Sequence, residues 1–286
     1  MDTFSLGPYE VGRVGFGAMQ LPGRGVMGPP RDREESLAVL RRAVEAGVNH
    51  IDTAQYYGPD VSNELIHAAL HPYADDLALV SKVGARRDDK GGWLPWDAPD
   101  ELRRGIEDNL RSLQVDRLAA VNLRLLDHVA AEPDQKFDDQ LGAMIQARQD
   151  GLIAGIGLST VTEAHLRHAL EQTDIACVQN PYNLLDRGSQ AVLELCVERG
   201  IAFVPYFPLG SAFHATNPVL NHPAVLAAAE RQGRTAAQIV LAWTLTVAPN
   251  VLVIPGTSSL AHLEENLAVA DIELDAETKA TLDALG

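Results

Sequence analysis

Short apolar runs rich in β-branched residues alternate with longer amphipathic stretches along nearly the whole chain. The first three such pairs are RVGFGAM with REESLAVLRRAVEAG, VNHID with SNELIHAAL, and LALVSKVG with PDELRRGIEDNLRSL. The order recurs five more times, beginning at LAAVNLR and ending with VLVIPG before AHLEENLAVA. Short apolar runs are typical of buried parallel strands, and apolar positions about three or four residues apart are typical of helices. The pattern therefore predicts eight strand–helix units.

Eight consecutive strand–helix units in 286 residues favour an α/β fold of the (β/α)8 or TIM barrel type, whose usual length is about 250 residues. A doubly wound sheet usually opens with a G-x-G-x-x-G phosphate turn, which GFGAM does not match. TFSLGPYEVG predicts a short N-terminal hairpin over the barrel bottom, and extra helices are predicted towards the C-terminus. Because no linker composition interrupts the pattern, residues 1–286 are predicted to form a single domain.

The formal net charge of −16, without a long acidic run, argues against a nucleic-acid surface or an anionic-membrane surface. Cys177 and Cys196 lie in apolar patterns without metal-ligand spacing, so we expect buried thiols and no metal site. The N-terminus lacks a basic region before a long apolar stretch, and no run is long enough to cross a bilayer. We therefore expect a cytoplasmic protein with no nucleic-acid, membrane or obligate protein partner.

Polar residues gather where the predicted strands end, which in barrel enzymes is the rim that carries the chemistry. In chain order they are Asp52 and Tyr57, Lys82, Arg124, Ser159, Gln179 and Asn180, Tyr206, and the run GTSS at 256–259. Because these ends meet at one face of a barrel, the residues are predicted to share one site.

Asp52, Lys82 and Tyr57 make chemical sense as one device. A buried carboxylate keeps a lysine charged, and that charge is expected to lower the pKa of a nearby phenol. Such a phenol can give a proton to a carbonyl oxygen and retrieve it in reverse. Alternatively, Asp52 and Lys82 brace two strands, or Lys82 attacks a carbonyl as in a Schiff-base aldolase. Tyr57 favours the first interpretation, and Tyr56 is the weaker phenol because it can pack on the barrel wall.

Several motifs, taken in order, resemble the aldo-keto reductases over nearly the whole chain. They are D-T-A-x-x-Y-G at 52–58, V-S-K at 80–82, G-L-S at 157–159, V-Q-N at 178–180, P-L-G at 208–210 and I-P-G-T-S-S-x-x-H-L-x-E-N at 254–266. The resemblance implies reduction of a carbonyl by hydride from NAD(P)H. It makes Tyr57 the proton donor, with Asp52 and Lys82 tuning it.

The same resemblance implies the residues that hold the cofactor. Ser159, Gln179 and Asn180 match residues that hydrogen-bond the nicotinamide carboxamide, and Tyr206 matches the aromatic ring that stacks on it. The full cofactor-binding set is Gly17, Ser159, Gln179, Tyr206, Pro208, Leu209, Gly256, Thr257, Ser258, Ser259, His262, Glu265 and Asn266.

The chain departs from the family pattern at Arg124, where the family normally has a His. A His can donate to the substrate oxygen and relay a proton, whereas a guanidinium stays charged and can only donate. Strand alternation puts Asn122 on the same inward side, so its carbonyl is predicted to orient the guanidinium. Alternatively, Arg124 pairs with Asp127 or another loop acid. His50 is expected to point away from Asp52.

A second departure concerns the 2′-phosphate of NADP. Many relatives carry basic residues where this chain has Gly256 and His262. The helix predicted to begin near Ser259 still offers free N–H groups to an anion, with hydroxyls from Thr257 and Ser258. We therefore expect NADPH, with NADH as a possible substitute.

The departures themselves resemble a bacterial branch of the family in which Arg replaces the His. The matching segments are GPPRDRE at 28–34, VSKVGARR at 80–87, VNLR at 121–124 and FVPYFPLG at 203–210. Members of that branch are associated with reducing pyridoxal to pyridoxine, which makes pyridoxal the expected aldehyde substrate. The alternatives are a reductase of other aldehydes or ketones, and a non-catalytic protein that senses the nicotinamide cofactor.

Two long loops are predicted to contact the substrate. Trp93 and Trp96, in the loop ARRDDKGGWLPWDAP, either form a wall over the carbonyl site or pack against outer helices. The loop after the seventh predicted strand adds Phe207, Phe213 and His214. Arg86, Arg87 and Arg124 are expected to meet a phenolate or phosphate on the substrate.

Overall fold

The computed structural model of the protein describes residues 2–126, 132–210 and 216–286. The strands are β1 (Thr3–Leu6), β2 (Tyr9–Gly12), β3 (Phe16–Gly17), β4 (His50–Asp52), β5 (Ala78–Arg87), β6 (Trp93–Trp96), β7 (Leu118–Arg124), β8 (Ile153–Ser159), β9 (Cys177–Gln179) and β10 (Ala202–Phe203). The α-helices are α1 (Arg33–Glu45), α2 (Val61–Leu70), α3 (Pro99–Leu113), α4 (Gln135–Gln149), α5 (Glu163–Gln172), α6 (Gln190–Arg199), α7 (Pro223–Gln232), α8 (Ala236–Thr246), α9 (Leu260–Leu267) and α10 (Ala276–Asp283).

Seven of these strands form one parallel sheet in the order β3, β4, β5, β7, β8, β9 and β10. Residues 251–253 occupy the position of the eighth strand and close the barrel. Val253 bridges Val14, next to β3, and Val251 bridges Phe203 in β10. The N–H of Gly15 donates to Val253 O at 2.8 Å. The predicted (β/α)8 barrel is therefore confirmed.

The side chain of Arg13, which lies just before β3, bonds to residues 245–251, the segment that leads into the eighth strand. Its guanidinium donates to the carbonyls of Leu245 at 2.6 Å, Ala248 at 2.8 Å and Val251 at 3.1 Å. Burial is the main reason that the pKa of Arg13 is lowered, and Asp2 acts in the opposite direction. The barrel thus closes through main-chain bridges and one multidentate arginine.

The predicted N-terminal hairpin is also present, as β1 paired antiparallel with β2. Gly7 occupies its turn with φ +57°, a left-handed conformation that side chains rarely adopt. Leu6 and Val11 are fully buried against the small apolar residues of the barrel interior, among them Ala78 and Ala120. The hairpin therefore plugs one end of the barrel with apolar side chains.

One element was not predicted: β6, in a segment interpreted as a loop. β5 continues beyond the barrel rim to Arg87 and pairs antiparallel with β6. The turn between them is held by Asp88, whose Oδ1 accepts from Gly92 N at 2.6 Å and Lys90 N at 2.8 Å. This β5–β6 hairpin stands over the rim at which the polar residues gather.

The larger apolar core lies between the strands and the helices. Neighbouring helices contact one another around the barrel, and α9 contacts α1. Cys177 and Cys196 are buried free thiols, as predicted. Across the described ranges, no cluster of His, Cys, Asp and Glu suits a metal ion, and no helix is long and apolar enough to span a membrane.

Candidate active site

The centre of the site is a buried ion pair between Lys82, in β5, and Asp52, at the end of β4. Lys82 Nζ contacts Asp52 Oδ1 and donates to Thr53 O at 3.0 Å. The second carboxylate oxygen, Oδ2, accepts from Gln179 Nε2 at 2.6 Å. Both oxygens of Asp52 therefore accept a hydrogen bond. One bond comes from β5, which neighbours β4, and the other from β9 on the opposite side of the barrel, and together they fix the carboxylate.

Thr53 and Ser81, the chain neighbours of Asp52 and Lys82, point outward towards the helices and support the ion pair from that side. Thr53 Oγ1 donates to Asn63 Oδ1 at 2.8 Å, and Ser81 Oγ donates to Asn109 Oδ1 at 2.6 Å. Asn63 Nδ2 donates to Asn109 Oδ1 at 3.0 Å, which links α2 to α3. These four side chains are fully buried. The network fixes the strand ends that carry Asp52 and Lys82.

Tyr57 follows β4 and lies beside this ion pair, with Lys82 Nζ 5.1 Å from its ring centroid. Burial, and after it the charge of Asp52, raise the pKa of Tyr57 well above its usual range, while Arg124 lowers it. The expectation that Lys82 lowers this pKa is therefore wrong for this structure. The positive charge of Lys82 is paired with Asp52, so Arg124 is the cation that acts on the phenol.

Arg124 ends β7 and faces the two phenols. Burial alone would lower the pKa of Arg124, but the nearby hydroxyls of Tyr56 and Tyr57 reverse the net direction to a rise. Its Cζ lies 5.1 Å from the ring centroid of Trp93. Asn122 does not orient it, because its Nδ2 donates to Ser81 O at 3.3 Å and its Oδ1 accepts from Cys177 Sγ at 3.4 Å. Asp127, the other predicted partner, lies outside the described residues.

Tyr56, the weaker of the two candidate phenols, is packed between other aromatic rings. Its buried ring stands edge-on to Tyr57, with centroids 5.5 Å apart, and edge-on to Trp93, with centroids 5.3 Å apart. Burial raises the pKa of Tyr56 to about 12, an effect that the charge of Arg124 opposes. Tyr56 is absent from the lining of the open cavity described below, whereas Tyr57 belongs to it.

His50 lies in the barrel interior, two residues before Asp52. The expectation that it points away from Asp52 is wrong, because residues two apart in a strand share a face. Its ring is fully buried, and within the described part of the chain neither ring nitrogen has a hydrogen-bond partner. Burial lowers the pKa of His50 to about 4; Asp52 acts to raise it and Lys82 to lower it.

An open cavity of about 320 Å³ leads from these groups along the rim, a size typical of ligand pockets. The predicted residues that line it are Gly17, Asp52, Tyr57, Lys82, Arg124, Gln179, Tyr206, Phe207, Pro208, Leu209 and Gly256. Sequence reasoning missed Met19, Gln20 and Asn217, which also line it. Met19 and Gln20 directly follow β3, so the rule that strand ends carry the site was a sufficient signal for them.

The other predicted residues lie away from the cavity lining. Ser159 is buried in β8, paired by register with Arg124 on one side and Gln179 on the other. Asn180 is a clamp within the loops, because its amide bonds both N–H and C=O of Val161 and lies 3.3 Å from Ser189 Oγ. Both groups of this amide thus have partners within the protein, and its contact with a carboxamide stays a prediction. Tyr206, by contrast, lines the cavity, and its hydroxyl lies 3.3 Å from Thr160 Oγ1.

The two tryptophans of β6 face in opposite directions, as residues three apart in a strand must. Trp93 turns towards the site and lies over the guanidinium groups of Arg87 and Arg124. Trp96 packs near Gly105 of α3, so its predicted place in the substrate wall is wrong and the outer-helix alternative is right. Phe207 lines the cavity, while Phe213 and His214 lie outside the described residues.

The chain has features that fit a dinucleotide at this cavity. β3 and the segment after the eighth strand approach so closely that a side chain at Gly17 or Gly256 would overlap the opposite backbone. Beside them α9 begins, with Thr257 Oγ1 accepting from Ser259 N at 3.0 Å. The side chain of Ser259 makes no capping bond, so the first N–H groups of α9 remain for an anion.

The remaining predicted cofactor residues belong to this helix end. Ser258 and His262 are exposed, and Glu265 and Asn266 are half-buried in α9. A cation does reach α9, but it is Arg42 of α1, whose Nε donates to Glu264 Oε1 at 2.6 Å. The charge of Arg42 is thus already matched by a carboxylate.

Comparisons with known proteins agree with this architecture. The profile of the Aldo/keto reductase family matches residues 13–286. Pyridoxine 4-dehydrogenase of Escherichia coli is 45% identical over 287 residues, covering 99% of this chain and 98% of that protein. A thermostable aldo-keto reductase solved with the inhibitor epalrestat is 31% identical, with a TM-score of 0.82 and full coverage of both chains. An aldo/keto reductase from Klebsiella pneumoniae solved with NADP and acetate is 29% identical, with a TM-score of 0.81 and coverage of 99% and 94%.

Proposed function

The chain belongs to the aldo/keto reductase family, and on that premise we propose that it reduces small aldehydes with NADPH, using Tyr57 as the proton donor. One observation carries the proposal: a buried phenol lies beside the Lys82–Asp52 pair on the wall of a cavity of ligand size. The family resemblance explains why these residue types recur together, and the geometry explains what they can do. The cavity belongs to one barrel domain, which we propose spans residues 1–286.

The residues of the chain divide the work of reduction among them. When bound, the cofactor supplies the hydride that the carbonyl carbon accepts. Tyr57 gives its proton to the carbonyl oxygen, and its raised pKa keeps it protonated at neutral pH. Arg124 stabilises the negative charge on that oxygen or on a ring substituent. Asp52, which Lys82 and Gln179 hold in place, forms the base of the site.

The expected cofactor contacts follow the cavity. Gly17 and Gly256 line the cavity beside Tyr206, which is proposed to stack on the nicotinamide ring. The N-terminus of α9, with Thr257, Ser258 and Ser259, is proposed to hold the phosphate. The Klebsiella pneumoniae structure with NADP supports NADPH as the cofactor. Because Gly256 and His262 replace basic residues, we expect a modest NADPH preference, which His262→Lys should increase when the two KM values are compared.

Pyridoxal is the proposed substrate, with pyridoxine as product. The support is the 45% identity to the protein named pyridoxine 4-dehydrogenase in Escherichia coli. Arg124, which lines the cavity, also suits an aromatic aldehyde with an acidic hydroxyl, since a guanidinium binds oxyanions. We further propose a cytoplasmic location and activity without a protein partner.

The test is to follow the loss of NADPH absorbance with pyridoxal, benzaldehyde and a panel of small aldehydes, and to repeat it with NADH. Turnover that depends on Tyr57 is the expected result. Tight NADPH binding without turnover of any aldehyde would refute the proposal and favour a cofactor-sensing protein.

A further inference from the structure

We propose that Trp93 is a positioning residue that orients the guanidinium of Arg124, so that the β5–β6 hairpin determines how well the site handles aldehydes with anionic substituents. The proposal rests on the proposed function, because Arg124 matters to the extent that it meets a substrate oxygen. It assigns Trp93 a task different from that of a substrate wall.

Three groups converge on the indole of Trp93. Arg124 Cζ lies 5.1 Å from the ring centroid, and Arg87 Cζ lies 4.2 Å from it. The ring of Tyr56 meets it edge-on, with centroids 5.3 Å apart and planes at 80°. A cation within about 6 Å of an aromatic face is attracted to it, most strongly when the ring is an indole. The indole is thus the common neighbour of both guanidinium groups.

Arg124 needs such a neighbour because its side chain is long and its functional end must stay still. Nothing in residues 2–126, 132–210 and 216–286 offers it a carboxylate; the groups that act on its charge there are the hydroxyls of Tyr56, Tyr57 and Tyr206. Phenol hydroxyls rotate and hold a guanidinium loosely compared with a bidentate carboxylate. A flat ring restricts the plane of the guanidinium without neutralising its charge.

The indole is itself anchored without any help from the cavity. Trp93 pairs by register with Arg87 across the hairpin, and Arg87 Nη2 donates to Gly25 O at 2.9 Å, in the segment before α1. Asp88 holds the hairpin turn through two main-chain N–H groups. Because these bonds fix the turn end of the hairpin, which carries Trp93, the indole has a defined place before any substrate arrives. The residue is 38% exposed.

The experiment is a double-mutant cycle between Trp93 and Arg124, measured as kcat/KM for pyridoxal. Trp93→Leu should lower kcat/KM by about two- to thirtyfold in the wild-type background, the range of a cation–π contact. It should have no further effect once Arg124→Ala is present. Trp93→Phe, which keeps a ring, should restore most of the loss. A full Trp93→Leu loss in the Arg124→Ala background would overturn the proposal, because the indole would then act directly on substrate.

Trp96→Leu is the matched control, since it makes the same substitution on the opposite face of β6. It should leave kcat/KM unchanged, and melting temperatures of all variants should show that they are folded. Asp127→Asn tests the competing partner: a loss with this variant and none with Trp93→Leu would overturn the proposal in favour of an Asp127 ion pair.

A binding readout separates this inference from the proposed function. Benzoate is an anion that Arg124 can bind without turnover. The cycle is therefore repeated by calorimetric titration of benzoate into the wild-type protein, Trp93→Leu, Arg124→Ala and the double variant. Weaker benzoate binding in Trp93→Leu than in the wild-type protein supports the positioning role if Trp93→Leu causes no such weakening when Arg124→Ala is also present. If the wild-type protein reduces no aldehyde, the proposed function fails while this binding cycle still decides the role of Trp93.

Discussion

Replacing Arg124 with Ala should lower kcat/KM for pyridoxal about tenfold to a hundredfold and affect benzaldehyde much less. The guanidinium lies beside Tyr56, Tyr57 and Trp93 and lines the cavity, so a bound substrate can meet it there. Loss of a charge-assisted hydrogen bond costs about 1.5–3 kcal/mol. Converted to rates, this gives the expected range. Benzaldehyde lacks the acidic hydroxyl and so loses less.

The assay is steady-state NADPH oxidation with both aldehydes, alongside NADPH binding followed by protein fluorescence as a control for the cofactor site. Arg124→His introduces the residue that the family normally has, and it should recover benzaldehyde reduction before pyridoxal reduction. Equal losses for both aldehydes would refute substituent recognition and assign Arg124 to the carbonyl oxygen. No loss for either would leave it a structural residue.

Three further predictions follow from buried groups. Tyr57→Phe should lower aldehyde reduction by about 10²–10⁴-fold with NADPH binding unchanged, because it removes the acid and keeps the ring; if Tyr56→Phe is the variant that fails instead, the proton donor has been misassigned. Asn109→Ala should lower the free energy of unfolding in urea by about 1–3 kcal/mol, because Ser81 and Asn63 lose a buried acceptor; a change below about 0.5 kcal/mol would mean that water replaces the amide. Burial lowers the pKa of His50 to about 4, so the unfolded chain binds this proton at a higher pH than the folded chain. The free energy of unfolding should therefore fall as the pH drops from about 6.5 to about 4, by up to about 3 kcal/mol, and His50→Phe should remove that part in urea titrations at the two pH values.

The strand-end rule explains how much of the site could be predicted from sequence. Asp52, Arg124 and Gln179 end their strands, and a barrel brings those ends together whatever the detailed register. Lys82 is predicted to end its strand; it lies instead near the end of the part of β5 that pairs within the barrel, because β5 continues to Arg87. Their common cavity is therefore a consequence of the eightfold alternation itself. The bond from Gln179 to Asp52 was not predictable, because it joins strands that are far apart in the chain and depends on rotamers.

The errors have local physical causes. WLPW is predicted to lie in a long loop between the third strand and the third helix, yet the long β5 supplies a partner that pairs with it outside the barrel. The charge of Lys82 predicts a lower pKa for Tyr57, but the sequence does not show how deeply the phenol is buried, and burial is the main cause that raises this pKa.

The closing strand of the barrel has a consequence for how the protein matures. Val14 and Val253 lie at opposite ends of the chain, and their bridge, with the Arg13 bonds, forms the seam of the barrel. Gly17 and Gly256 lie on that seam and line the cavity. A chain that lacks residues 251–256 therefore has neither that seam nor the part of the cavity wall that Gly256 supplies. Closure of the barrel and completion of the cavity thus depend on the same two segments, which come from opposite ends of the sequence.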